Sequence, residues 1–233
     1  VFPVAVYPIV FVLRKKKPAI ENTVLYQRIE KSETKILDIV SSHIVNFKSL
    51  METDVSNITI FFSEGDQNLI GEIMSKSSPL ASIAKVVGAA TVSEAYEIQK
   101  KKKIATVDYD PSTHYKFVNT GTIDRYETLW DKKETRYLKV SYLMPVINKK
   151  ALKKHFPNRE LQASSKKIIA GGMNKRLECC YDDGLTLAGK STSIIYSSSV
   201  DLMYILGILN SKLISYFYST YYSGLKLQGR FFR

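Results

Sequence analysis

The residues able to carry covalent chemistry are few and poorly placed for it. Cys179 and Cys180 are the only cysteines and are adjacent, a spacing that rarely allows a disulfide between them. With His43, His114 and His155 scattered far apart, they offer no zinc-binding pattern and no nucleophile–base pair. Glu33-Thr34-Lys35 is the only Glu-x-Lys, and no Asp precedes it to share a metal, so a nuclease centre is not indicated. What does cluster is cations and short polar side chains around glycines. Lys166-Lys167-Ile168-Ile169-Ala170-Gly171-Gly172-Met173-Asn174-Lys175-Arg176 flanks an apolar run and a Gly-Gly turn with positive charge. Asn119-Thr120-Gly121 reads as a turn where glycine takes a positive φ and leaves polar side chains at a tip. Such sets recognise: cations suit phosphates or guanine edges, and glycine lets backbone approach a surface. A plain β-hairpin with a solvated basic tip is the alternative reading of the lysine-rich stretch.

Composition sets the frame for these residues. The chain has 233 residues, enough for one large domain or two small ones with a substantial core. A hydrophobic share of 45% with 11% aromatic residues is globular, not disordered. Lys and Arg total 34 against 22 acidic residues, and the formal net charge of +12 suits a polyanionic partner, nucleic acid first and anionic membrane second. Cysteine usage fits a reducing, cytoplasmic setting. The chain opens on Val1, not Met, so it is expected to be a piece of something longer. Its apolar start is not a signal peptide, because the charge at Arg14 to Lys17 follows it and Pro3 and Pro8 interrupt it.

The elements that must position the cations follow from periodicity. Residues 4–13 are β-branched and aromatic, hence strand-like, and Lys15-Lys16-Lys17-Pro18 marks a hinge. Residues 22–28 and 57–62 predict strands. Apolar positions 36, 37, 40, 44, 47 and 50 predict a helix entered at Ser32 or Thr34. Short helices are expected at 69–74 and 80–87, and a longer one at 93–103, capped by Ser93. Its lysines at 100 to 103 either complement the helix dipole or meet phosphate. From Lys116 the chain turns β-rich and loop-rich, with strands expected at Tyr137-Leu138, 179–182 and 193–196 and a break at Pro145. Near the end, Leu202, Ile205, Leu206, Leu209, Leu213 and Phe217 recur at spacings of three and four and predict one helix over 200–218, with Ser198 and Asp201 at its start. Asp201, Asn210 and Lys212 argue against a membrane span there. No internal repeat is visible.

Several of these stretches resemble one family. Tyr204-Ile205-Leu206-Gly207-Ile208-Leu209-Asn210-Ser211-Lys212-Leu213 is similar to the "YLLGILNSKL" helix of the TaqI-like C-terminal specificity domains, the target recognition domains of Eco57I-type and type IIG adenine-specific DNA methyltransferases. Lys116-Phe117-Val118-Asn119-Thr120-Gly121-Thr122-Ile123-Asp124-Arg125-Tyr126 resembles the family's "F-I-x-T-G-x-I-D-x-Y", with Trp130 beyond it. Arg159 followed by Lys166 to Met173 resembles "R-x-x-x-x-x-x-K-I-I-x-x-G-M". The segment 79–91 is similar to "L-x-D-I-A-x-I-x-x-G-x-x-T", although Ala81-Ser82 stands where acidic residues are common. Residues 4–13 resemble the segment that closes the catalytic sheet of amino-methyltransferases, with a first strand of this domain's own sheet as the alternative reading.

The resemblance implies an α+β fold: a mixed, loop-rich target recognition domain with supporting helices, preceded by a remnant β-hairpin of a methyltransferase domain. It divides the chain into a truncated methyltransferase tail at 1–17, a connecting α/β region at 18–78 and a recognition domain at 79–233. It implies double-stranded DNA as partner, a covalently linked or adjacent methyltransferase domain, and no membrane. Candidate DNA contacts are Lys116, Asn119, Thr120, Arg125, Lys166, Lys167, Asn174, Lys175, Arg176 and Lys190. Methyltransferases of this class carry an N-P-P-Y or D-P-P-Y loop, yet this chain has no Pro-Pro, nor a Gly-rich loop after an early strand to hold S-adenosylmethionine. Catalysis and cofactor are therefore expected in the parent, in a restriction–modification or phage-defence system, and not in this segment. A type I-like specificity subunit and a fragment of a bifunctional endonuclease–methyltransferase remain the alternatives.

Overall fold

A computed structural model describes residues 10, 12–30, 38–48, 64–102, 108–137, 139–172, 174 and 176–221. The chain divides into two compact units, one formed by 1–77 with 220–227 and the other by 78–219 with 228–233. The strand expected at 57–62 and most of that at 4–13 lie outside the described residues.

In the first unit, β1 (Thr23–Glu30) and β2 (Asp38–Asn46) form an antiparallel ribbon in which Leu25 faces Ile44. The register shifts between Arg28 and Ile29, so that Ile29 meets Ile39. The helix expected over 36–50 is thus corrected to a strand from Asp38. Ile39, Ile44 and Val45 are β-branched, and a partner strand at the right distance outweighs a loose helical spacing. Leu25, Ile29, Ile39 and Ile44 share one ribbon face and are each more than half exposed. Helix α1 (Glu64–Lys76) completes the described part of this unit.

The second unit is a layered α+β body. A short 3-10 turn (Leu80–Ser82) leads into β3 (Lys85–Gly88). The helix expected at 80–87 is therefore mostly a strand, because Val86 and Val87 pair with Ile195 and Ile194. Helix α2 (Val92–Lys102) is capped by Thr91 and not Ser93. The Thr91 hydroxyl accepts from Glu94 N, and the Glu94 carboxylate accepts from Thr91 N at 2.9 Å, a reciprocal capping box. Then follow β4 (His114–Val118), a 3-10 turn (Thr120–Thr122), β5 (Thr135–Tyr137), β6 (Val140–Tyr142), β7 (Val146–Asn148), α3 (Lys149–His155) and α4 (Pro157–Ser164). The chain ends in β8 (Lys166–Gly171), β9 (Cys179–Asp183), β10 (Thr186–Ala188), β11 (Thr192–Tyr196), α5 (Leu202–Leu209) and α6 (Lys212–Tyr221).

One sheet runs β3-β11-β8-β9, all antiparallel, and a second runs β10-β4-β7, with β10 parallel to β4. Strand alternation explains the layers. Ile168, Ala170, Cys179 and Ile195 pack with Ile205, Leu206 and Leu209 of α5, while Ile169, Cys180 and Ile194 pack with Val118, Ile123, Trp130 and Val146. On the far face of the second sheet, Tyr115, Phe117, Ile147 and Leu187 pack with Leu152 of α3, Ala163 of α4 and Ile98 of α2. The order is helix, sheet, sheet, helices.

The single helix expected over 200–218 is two. Asp201 caps α5, its carboxylate accepting from Met203 N and Tyr204 N. Asn210 ends the helix. It is 0% exposed, and its side chain accepts from Cys179 N at 3.1 Å and donates to Cys179 O at 2.9 Å. The amide therefore continues the edge of β9 as a strand residue would, and Ser211 Oγ caps the next helix at Ile214 N. Leu206 and Leu209 are core as expected, but Leu213, past the break, is 51% exposed.

Candidate functional site

Three separate stretches of sequence meet at one end of the four-stranded sheet. β8 ends there at Gly171, opposite Thr192 of β11, and β3 ends beside them at Gly88, opposite Ser193. The Ser191 carbonyl is the hub: Gly172 N donates to it at 2.9 Å and Thr120 Oγ1 at 2.6 Å. Ser191 reaches this position through a left-handed backbone, φ 69°, a strained state for a residue with a Cβ. Gly172 is required by close approach, since a Cβ there would stand 2.5 Å from Ser191 O. The surface that this glycine approaches is thus the chain's own loop.

From Gly171 the rim continues through polar contacts. Asn174 packs over Gly171, and its Nδ2 donates to Glu178 Oε2 at 2.5 Å. Arg176 Nε donates to Glu178 Oε1 at 3.0 Å, and Arg176 Nη2 lies 3.6 Å from Asp124 Oδ1. Asp124 opens a tight reversal in which Ile123 bridges Thr128 and Asp124 N donates to Glu127 O. Tyr126 in that reversal has φ 71° and is held by its N–H on Cys179 O. Arg125 donates from Nη2 to the Asn210 carbonyl, and its guanidinium lies over the Tyr126 ring. So Thr120, Asn174, Arg176 and Arg125 are linked along one rim, and Lys190 directly precedes its Ser191 hub in the chain.

The remaining expected residues are elsewhere. Gly121 lies in a 3-10 turn and not at a positive φ, which among described glycines belongs to Gly184. Asn119 is half-buried, with Oδ1 enclosed and without a partner beside Gly189. Lys116 is turned by strand alternation toward the space between the sheets, where its Nζ sits 4.9 Å from the Trp130 ring and 5.2 Å from the Tyr109 ring. Lys166 is at the opposite end of β8, roughly 17 Å from Gly171 at ~3.3 Å per residue. It is paired with Asp183 at 3.4 Å. Lys167 is corrected outright. It is 0% exposed, its Nζ donating to Asp182 at 2.5 Å and to the carbonyls of Ala163 and Ser165. Burial pushes this ammonium below the ordinary lysine pKa, and attraction by Asp182 offsets part of that. Lys175 lies outside the described residues.

Sequence reasoning missed Asp124, Glu178 and Ser191. The spacing of Arg176 and Glu178 was the available signal, because side chains two apart on an extended chain share a side. Ser191 left none. Arg159, noted in the motif, braces the rim from outside: its guanidinium is bidentate to Glu94, Nε at 3.1 Å and Nη2 at 2.9 Å, and Nη1 donates to Gly88 O at 3.3 Å.

No group of His, Cys, Asp and Glu among the described residues could hold a metal ion, and no helix among them is long and apolar enough to cross a membrane. Burial pushes both thiols up, Cys180 to about 12, so neither is a thiolate near neutrality. The geometry defines an α+β fold with polar groups gathered at one sheet end. Residues 116–230 match the family model of the TaqI-like C-terminal specificity domain, and this part of the chain belongs to that family. The membership supports a DNA-recognition role in a protein of methyltransferase type. No protein of curated function matches the chain.

Proposed function

We propose that the chain is the target recognition domain of an adenine-specific DNA methyltransferase from a restriction–modification or phage-defence system. The observation that carries this reading is the convergence of Thr120, Asn174, Arg176 and Arg125 on one rim within the matched segment, beside the loop that carries Lys190. The rim enters the major groove, where Asn174 and Thr120 offer hydrogen bonds to base edges. Lys190, which has no acidic partner among the described residues, contacts phosphate. A linked methyltransferase domain, to which residues 1–17 belong, supplies S-adenosylmethionine and takes the adenine out of the stack.

Fluorescence anisotropy of the chain with short duplexes tests this. If ~4–6 phosphates are neutralised, log K falls against log salt with a slope of about −4 to −5. A flat salt response would remove the nucleic-acid role. In the linked enzyme, Asn174→Ala changes which site is modified, at ~1–3 kcal/mol per lost base contact. Unaltered site choice in that variant would take Asn174 out of base reading.

A further inference from the structure

Charge at the rim is nearly cancelled, which is unexpected in a chain of net charge +12. Arg176 stands between two carboxylates, its Nε on Glu178 Oε1 at 3.0 Å and its Nη2 3.6 Å from Asp124 Oδ1. The other oxygen of Glu178 takes Asn174 Nδ2 at 2.5 Å. A carboxylate only accepts, so this contact also fixes the Asn174 amide, with its NH2 toward Glu178 and its oxygen turned away from it. Glu178 is itself mostly covered, at 19% side-chain exposure, whereas Arg176 is 53% exposed. The carboxylate is therefore a built support under two groups of the rim, and not a solvated surface acid.

We infer that Glu178 is a specificity-determining residue: it orients Asn174 and Arg176 and neutralises Arg176 against indiscriminate phosphate contact. This rests on the reading that the rim faces DNA. An arbitrary duplex offers phosphates first, and phosphates gain little from a guanidinium already shared by Glu178 and Asp124. A cognate site offers base edges that meet the oriented Asn174 amide and the free edge of Arg176, so it loses less. The carboxylate lowers affinity for all DNA and lowers it most for the wrong DNA.

The test is anisotropy of the full 233-residue chain with a random-sequence duplex, comparing the parent chain, Glu178→Gln, Arg176→Ala and the double variant. Glu178→Gln keeps the shape and one acceptor while removing the charge. It is expected to bind random duplex about 3- to 10-fold tighter near 0.1 M salt, with a salt slope steeper by about 0.9, one additional phosphate. In the Arg176→Ala background the same change has less than half that effect, because there is no guanidinium to release. Equal affinity of Glu178→Gln and parent, with parent binding still steeply salt-dependent, overturns the inference and leaves the DNA-facing reading standing. An equal gain with and without Arg176 also overturns it, since that is general charge removal. If the parent chain shows no salt-dependent duplex binding, the reading and the inference fall together. Should Glu178→Gln fail to fold, Asp124→Asn is expected to give a smaller gain in the same direction, and a loss of affinity there overturns the proposal.

Discussion

At one end of β8, Lys167 is wholly buried and spends its three protons on Asp182 and on the carbonyls of Ala163 and Ser165. Just beyond the other end, Arg176 stands half exposed between Glu178 and Asp124. Both are cation–carboxylate arrangements in the same stretch of eleven residues, and they do opposite work. The buried pair is fully satisfied: Asp182 also accepts from Gly184 N and Leu185 N, which fixes the turn out of β9. Its value lies in what happens when it is broken, because a single buried charge left behind is costly. The exposed group adds little to stability, but its charge can be felt by anything approaching the rim. Residue type does not separate the structural lysine from the arginine proposed to face DNA; burial does.

The comparison can be broken hardest at Asp182. Asp182→Ala strands the Lys167 ammonium and should cost ~3–5 kcal/mol in urea denaturation, or abolish soluble expression. A loss below ~1 kcal/mol would mean that the pair is not the anchor described.

Next in size is Asn210→Ala, which removes the acceptor of Cys179 N in a buried setting and one of the two donors to Cys179 O, the other being Tyr126 N, and should cost about 1–3 kcal/mol. Because the Asn210 amide and Tyr126 N share the Cys179 carbonyl, the 124–127 reversal should show faster amide hydrogen exchange. Unchanged exchange at Tyr126 would separate the helix break from the rim.

Glu94 sharpens the comparison through pH. Burial alone would raise its carboxyl pKa, but the hydrogen bonds from Arg159 and from Thr91 outweigh that and hold it below the ordinary value. Charge is thus favoured in the folded state, and the contribution is present above the unfolded pKa and lost as pH falls through the lower folded one. Glu94→Gln should cost about 1–2 kcal/mol at pH 7 and nothing at a pH below the folded pKa. A cost that persists in acid would show that shape, not charge, matters there.

The smallest effect belongs to Lys166→Ala, predicted to change stability by less than ~0.5 kcal/mol, since the pair with Asp183 is exposed at 72% and 61%.

Much of this arrangement was legible in the chain. Residues 22–28 read as a strand because their β-branched and aromatic run is short and bounded, 179–182 and 193–196 read as the two strands that follow the Lys166–Arg176 stretch in the resembled family, and the apolar face of α5 was plain from Ile205, Leu206 and Leu209. Failures came where a distant partner decides. Nothing local shows that Asn210 pairs with Cys179, so two helices read as one. Val40, Ile44 and Phe47 fit a helical spacing until the strand at 23–30 is placed beside residues 38–46. Alternation says that Lys166 and Lys167 point to opposite faces, but only the sheet order says which face is covered. The candidate site was half visible: its loops were, while the carboxylates that restrain them and the strained Ser191 hub were not.

The central claim is that the Gly171–Ser191 end of the sheet, and not the Lys166 end, meets DNA. Salt titrations of duplex binding with Lys190→Ala and Lys166→Ala, read side by side by anisotropy, test it most directly. The account predicts that Lys190→Ala shallows the slope of log K against log salt by about 0.9 while Lys166→Ala leaves it unchanged. The reverse result, a shallower slope for Lys166→Ala and none for Lys190→Ala, would place the DNA at the wrong end of the sheet and contradict it.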